Sequence, residues 1–150
     1  MDKLKLKEEI IRICLEKQEK VIQTAKQAIL DIQESANEDD QTRDLYDPYR
    51  TQLLSKRDLL ASQYEKALQD KQILEKLTSM KSRPYVDVGS VVITDKQKMF
   101  VSIGLGKFTC CNETYYAISP KVPLFNVIQG LRKGDTYEFN GQQVKVLDVF

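Results

Sequence analysis

Two long segments of the chain repeat hydrophobic residues at steps of three and four, the spacing of an amphipathic helix. They run over residues 2–36 and 49–80, and neither contains Gly or Pro. The predicted contact positions are Leu4, Ile11, Cys14, Val21, Ala25, Ala28, Ile32 and Ser35 in the first, and Leu53, Leu60, Tyr64, Ala67, Leu74 and Leu77 in the second. Because the connection is short and neither helix buries its apolar side alone, we predict an antiparallel helical hairpin.

The pattern changes after Met80, where Lys81-Ser82-Arg83-Pro84 breaks the helix. Runs of β-branched and aromatic residues then predict strands at 86–94, 99–103, 107–111, 114–118, 136–139 and 142–149. A short helix is predicted to open at Ser119-Pro120 and to end at Gly130, and Asn140-Gly141 predicts a tight hairpin. The fold class is therefore α+β, with a helical hairpin over 1–80 and a small antiparallel β module over 84–150.

The connection between the helices is rich in carboxylates. Over residues 34–49 a single basic residue, Arg43, accompanies six acids: Glu34, Glu38, Asp39, Asp40, Asp44 and Asp47. Asp47 directly precedes Pro48, so an N-cap of the second helix is an alternative role for this acid. Clustered carboxylates repel one another unless they are solvated or meet a cation, so residues 37–47 are either a solvated loop or an acidic tip that a hairpin presents to a partner.

Charge and composition exclude several classes of protein. The 23 basic and 22 acidic residues give a net charge of +1, which supplies no general attraction to membranes or nucleic acid. No apolar run approaches the ~20 residues that span a bilayer, and the charged start lacks a signal sequence, so we expect a cytoplasmic protein. The absence of histidine disfavours most hydrolytic enzymes and zinc sites. Of the three cysteines, Cys110 and Cys111 are expected to be reduced thiols, one pointing inward and one outward on a strand.

The order of these parts resembles the Gre family of bacterial transcription elongation factors, GreA and GreB. The motifs that carry the resemblance are Ala117-Ile118-Ser119-Pro120, residues 124–131, Lys133-Gly134-Asp135 and the closing hairpin. It implies an FKBP-like C-terminal module that docks on RNA polymerase beside the secondary channel. The implied docking residues are Ser119, Pro120, Leu124, Lys133, Gly134 and Asp135, although a helix start and a glycine turn also serve any small fold.

The resemblance also implies a chemical role for the acidic tip. The hairpin would enter the channel and bring carboxylates to the polymerase-bound Mg²⁺, stimulating cleavage of backtracked RNA without a cofactor or metal of its own. The implied residues are Glu38, Asp39, Asp40, Asp44 and Asp47. The family's tip motif, Gly-Asp-Leu-x-Glu-Asn-Ala-Glu-Tyr, is not reproduced, and the nearest equally spaced pair is Asp44-Leu-Tyr-Asp47. Basic residues that could lie near the nascent RNA 3′ end, or be solvated helix faces, are Lys17, Lys20, Arg50, Lys56 and Arg57.

Other functions stay open at the level of sequence. A Gre-like or DksA-like protein could occupy the channel without stimulating cleavage. A coiled-coil adaptor or chaperone would use the helices to hold client proteins. Tyr115, Tyr116 and Phe125 suggest a prolyl isomerase, but a tail of about 65 residues is short for the apolar pocket this activity needs. Sequence-specific DNA binding is not expected.

Overall fold

A computed structural model of the protein describes residues 2–39 and 48–150, except for the side chains of residues 36–39. Two long helices come first, α1 (Lys3–Asp39) and α2 (Pro48–Leu77). They are followed by β1 (Val91–Thr94), β2 (Lys98–Val101), β3 (Gly106–Cys110), β4 (Glu113–Ile118), α3 (Pro123–Ile128), β5 (Thr136–Phe139) and β6 (Gln142–Val149). This confirms the predicted α+β class, with a helical hairpin before a six-stranded, mostly antiparallel sheet.

The described structure divides into two compact units that do not coincide with the predicted domains. One unit is Met1–Lys17 together with Gln72–Phe150, and the other is Gln18–Lys71. The ends of both long helices therefore pack in the same unit as the sheet. The division into a domain of residues 1–80 and a domain of residues 84–150 stays a prediction.

In the unit Gln18–Lys71, the two helices run antiparallel. The side-chain amide of Gln18 donates to the carbonyl oxygen of Ala67 at 2.9 Å, and the Lys71 ammonium lies 3.0 Å from a Glu19 carboxylate oxygen. Ile22 and Ala67 are buried beside them. Thus the first part of α1 in this unit faces the last part of α2.

The predicted contact positions of α1 need correction at this point. Val21 is 45% exposed, whereas Gln18 and Ile22 are buried. Gln18 lies seven residues after Ile11 and so continues the seven-residue repeat, but the next buried position is Ile22 and not Val21, which lies seven residues after Cys14. A straight helix of 3.6 residues per turn drifts in this way from a strict seven-residue repeat. Gln18 is polar and therefore does not belong to the apolar pattern, yet it is buried because its amide donates to the carbonyl oxygen of Ala67.

The helix ends and one face of the sheet share a hydrophobic core, here called the helix–sheet core. Its fully buried members include Ile10 and Cys14 of α1, Leu74 of α2, and Phe100 of β2. The other members are Ile11, Leu77, Val91, Ile103, Phe108, Cys110, Tyr115, Ala117 and Phe150. The prediction that Leu4 also faces a partner is wrong: Leu4 is 61% exposed, and Leu6, on another side of the helix, packs against this core.

The opposite face of the sheet is covered mainly by α3. Phe125 and Ile128 of α3 pack with residues of β1, β2, β5 and β6 in a second core. The strand order is β3-β4-β2-β1-β6-β5, and every neighbouring pair is antiparallel except β2 and β4. The first strand is shorter than predicted, because Val86 bonds with Gly130 and Leu131 outside the sheet and β1 begins only at Val91.

Two tight hairpins connect the edge strands to their neighbours. Asn140 and Gly141 join β5 to β6 with φ of 53° and 77°, the positive angles of the turn that Asn-Gly favours. Residues 112 and 113, which lie between two of the predicted strands, are the predicted β3–β4 turn, but the turn is Cys111-Asn112, with φ of 53° and 64°. Glu113 instead pairs with Cys110 as the first residue of β4.

Burial of Cys14 makes the protein less stable as the pH becomes alkaline. Desolvation raises the pKa of the Cys14 thiol from 9.0 to about 12. Because the folded-state pKa is the higher one, this contribution is complete below pH 9 and is lost as pH rises toward 12. Relative to a Cys14→Val variant, we expect the wild-type free energy of unfolding to fall by about 1.4 kcal/mol between pH 8 and 10. Urea denaturation at both pH values measures this, and identical pH profiles of the two proteins would contradict it.

Candidate functional site

The five predicted tip carboxylates fall where side chains are not described. Glu38 and Asp39 belong to the last turn of α1, and only their backbone is described. Asp40, Asp44 and Asp47 lie outside the described residues. Their proposed role near a polymerase metal therefore stays a prediction from the sequence.

The predicted RNA-proximal basic residues are divided between the two units. Lys17 belongs to the unit with the sheet, where its ammonium donates to the carbonyl oxygen of Lys107 at 3.3 Å. In the helical unit, Lys20 and Lys56 are exposed, and Arg57 contacts the carboxylate of its neighbour Asp58 at 3.1 Å. Arg50 is half-buried there. Lys17 and Arg57 thus make local contacts, and the RNA-facing role of the set is still a prediction.

Ser119 and Pro120 form a turn before the short helix and are not its start. The Ser119 hydroxyl accepts a hydrogen bond from the backbone N–H of Lys121 at 3.1 Å, and its carbonyl accepts one from Val122 at 3.2 Å. The helix begins at Pro123, which takes the first helical position because proline has no N–H to leave unpaired. The predicted start at Ser119-Pro120 is therefore three to four residues early.

The remainder of α3 agrees with the prediction. It ends where Gly130 takes a φ of 82°, as the position of that glycine indicated. Leu124 is half-buried and packs against the second core, while Phe125 and Ile128 enter that core. Leu124 therefore has a packing role, which leaves only part of its side chain for a partner.

Lys133, Gly134 and Asp135 form one closed turn that leads into β5. A carboxylate oxygen of Asp135 accepts from the backbone N–H of Arg132 at 2.8 Å, and the N–H of Gly134 donates to Val146 of β6 at 2.8 Å. Gly134 has a φ of 94°, which glycine adopts without strain. The turn thus joins the exposed Lys133 to the sheet through its neighbour Gly134.

A cluster of two arginines and one aromatic ring beside this turn was not predicted from the sequence. The guanidinium groups of Arg132 and Arg83 lie 5.6 Å and 5.9 Å from the ring centre of Tyr85, within the range of cation–π attraction. Tyr85 and Arg132 also form an isolated β-bridge, and Arg83 reaches Asp87 at 2.6 Å. We call Arg83, Tyr85, Arg132 and Lys133 the basic patch. Tyr85 and Arg132 are 47 positions apart, so no local sequence pattern indicates that they are neighbours.

The basic patch suits an acidic partner surface. Three of its four residues carry positive charge, and the neighbouring carboxylates of Asp87 and Asp135 each satisfy a local contact.

Among residues 2–35 and 48–150, no group of three or more Cys, Asp or Glu side chains is placed to hold a metal ion. Within the described helices, none is long and apolar enough to cross a membrane.

The chain has a weak structural likeness to known proteins. No family model matches the chain, and no curated protein matches it. Among solved structures, the chain is similar to one described as the transcription factor Gfh1, with 15% identity over 90% of this chain and 92% of that chain. The TM-score is 0.32, which is too low for this likeness to support a conclusion about function.

Proposed function

We propose that this protein is a cytoplasmic, Gre-like transcription factor of bacteria that binds RNA polymerase through its secondary channel. The observation that carries the proposal is the order of elements together with the turns at Ser119-Pro120 and Lys133-Gly134-Asp135. A helical hairpin precedes an α+β module, as the sequence resemblance requires, and the 133–135 motif forms a closed turn on the sheet. The likeness to Gfh1 is of the same kind but adds no weight.

In this proposal the chemistry belongs to the polymerase. The free protein holds no metal and catalyses no reaction. One tip carboxylate would help to retain the weakly held second Mg²⁺, and another would orient the water that hydrolyses a backtracked RNA. Carboxylate oxygens suit both tasks, because they are hard ligands for Mg²⁺ and strong hydrogen-bond acceptors for water. The candidates are Glu38, Asp39, Asp40, Asp44 and Asp47.

Docking is assigned to the 133–135 turn and its neighbours. Because Lys133 is exposed and adjoins the arginines of the basic patch, a Lys133→Glu substitution places a negative charge inside it. We expect retention of the protein on immobilised cognate polymerase to fall about 10-fold at low salt, with a smaller difference at high salt.

The matched control for this substitution is Lys96→Glu. Lys96 is an exposed lysine in the connection between β1 and β2, so the change in net charge is the same. Binding by this variant should stay close to wild type. Equal losses in the two variants, or no loss with Lys133→Glu, would remove the turn from the docking surface.

A second candidate is a channel regulator that does not stimulate cleavage. It is favoured by one observation, the absence of the family's tip motif between residues 37 and 47. A cleavage assay on backtracked complexes separates the two candidates, since both bind polymerase but only the first shortens the RNA. If the protein neither binds polymerase nor alters transcription, both candidates are wrong.

A further inference from the structure

Two neighbouring thiols lie where strand β3 meets the β3–β4 turn: Cys110 is the last residue of β3, and Cys111 is the first residue of the turn. The sulfur atoms of Cys110 and Cys111 are 3.5 Å apart. Cys110 is 1% exposed and belongs to the helix–sheet core, whereas Cys111 is exposed. The pair thus combines a thiol that solutes can reach with a second thiol directly behind it.

The backbone at Cys111 is unusual for a cysteine. Its φ of 53° and the φ of 64° at Asn112 make a turn whose first position usually holds Asn, Asp or Gly. A non-glycine side chain at positive φ is strained and persists only where the surrounding structure holds it. The β3–β4 ladder, which pairs Cys110 with Glu113, maintains this conformation and with it the approach of the two sulfur atoms.

Cys111 opens on a cavity that carries both signs of charge. The cavity has a volume of about 440 Å³ and is lined by Lys5, Glu8, Glu9 and Arg12 as well as Cys111. Arg12 is hydrogen-bonded to Glu9. Such a surface can meet both the carboxylates and the ammonium groups of a small zwitterionic peptide.

We propose that Cys110 and Cys111 form a dithiol modification site that reacts with low-molecular-weight disulfides, of which glutathione disulfide is the probe. The thiolate of Cys111 attacks one sulfur of the probe, breaks its S–S bond and releases one glutathione thiolate. The Cys110 thiol then passes its proton to a glutathione thiolate, and the resulting Cys110 thiolate attacks the Cys111 sulfur and releases the second glutathione. Two cysteine thiols are oxidised to one disulfide, one glutathione disulfide is reduced to two thiols, and the two cysteine protons pass to the glutathione thiolates.

The order of attack follows from exposure. Burial raises the pKa of the Cys110 thiol to about 12, so Cys110 stays protonated and does not react first. Once Cys111 carries the glutathionyl group, the electrophilic sulfur is held next to Cys110. Proximity then favours the intramolecular step over attack by a second molecule in solution.

The disulfide formed in this way should be easily reduced. Consecutive Cα atoms are about 3.8 Å apart, below the ~4.4 Å at which ordinary disulfides begin. Strained and exposed disulfides have the more oxidising potentials that characterise reversible sites. The modification is therefore expected to reverse in excess reduced glutathione.

Trypsin gives a direct test, because cleavage after Arg12, Lys17, Lys107 and Lys121 separates the cysteines. Residues 108–121 contain Cys110 and Cys111, and residues 13–17 contain Cys14. After incubation with glutathione disulfide and blocking of remaining thiols, we expect the 108–121 peptide to be unblocked and lighter by about 2 Da than its dithiol form. Excess reduced glutathione should restore two blockable thiols.

Three variants assign the roles. Cys111→Ser should abolish the reaction, and Cys110→Ala should accumulate a lasting glutathionyl adduct on Cys111. Cys14→Ala is the matched control and should leave the mass loss in peptide 108–121 unchanged. A lasting adduct on the wild-type protein, a disulfide that joins peptides 13–17 and 108–121, or two thiols that stay unreacted would each overturn the proposal. Peptide mapping of the wild-type protein gives this answer even if a variant fails to fold.

Discussion

Replacing Asp39, Asp40, Asp44 and Asp47 together by asparagine is expected to lower stimulated cleavage of backtracked complexes by about 100-fold or more. Asparagine keeps the size of each side chain but removes the negative charge that retains a metal ion, and it replaces the carboxylate that orients a water by a weaker, neutral amide oxygen. Polymerase binding should persist, because the docking residues are untouched. The measurements are RNA cleavage by stalled complexes and retention on immobilised polymerase, made on the same preparations.

A charge-matched control separates a specific loss from a general change in net charge. The variant Asp58→Asn, Glu65→Gln, Glu75→Gln, Glu138→Gln also removes four carboxylates, all from exposed positions. It should cleave at the wild-type rate. If the tip variant cleaves as well as this control, the carboxylates have no part in the reaction, and the channel regulator without cleavage becomes the better description.

Leu74→Ala is expected to destabilise the protein by about 2–5 kcal/mol. Leu74 is fully buried in the helix–sheet core, so the substitution removes apolar contact and leaves a cavity between helix and sheet residues. Alanine keeps the intrinsic preference of α2 for helix, and the loss therefore reports on packing. Equilibrium unfolding in urea, followed by circular dichroism, measures it.

Leu59→Ala is the matched control on the same helix. Leu59 is 59% exposed, so its replacement should change the free energy of unfolding by less than about 0.5 kcal/mol. If the two substitutions change the free energy of unfolding by the same amount, whether large or small, the end of α2 does not share a core with the sheet.

The parts of the fold that the sequence predicted are those set by local patterns. Long helices without Gly or Pro, the Asn140-Gly141 hairpin and the positive φ of Gly130 all follow from neighbouring residues. One wrong prediction arose where two neighbouring segments both have the composition of a helix start. Ser119-Pro120 has the composition of a helix start, but the Ser119 hydroxyl accepts a hydrogen bond from Lys121 in a turn, and the helix begins only at Pro123.

Long-range packing explains most of what could not be predicted. A pattern of apolar residues passes over Gln18, whose burial depends on a carbonyl 49 residues away. The basic patch joins Tyr85 to Arg132 through a bridge that no local periodicity encodes. Within the candidate site, the 133–135 turn could be predicted because glycine and aspartate are typical turn residues. The presence of Arg83 and Tyr85 beside it could not be predicted.

The helix–sheet core also constrains when the protein can mature during synthesis. Ile10 and Cys14 leave the ribosome early, yet the surfaces that bury them, such as Phe100 and Tyr115, are made some ninety to one hundred residues later. Contacts so distant along the chain form slowly, and until then the early segment shows apolar side chains to its surroundings. The nascent chain is therefore expected to depend on a chaperone, or on the helical partner made in between, for protection against aggregation.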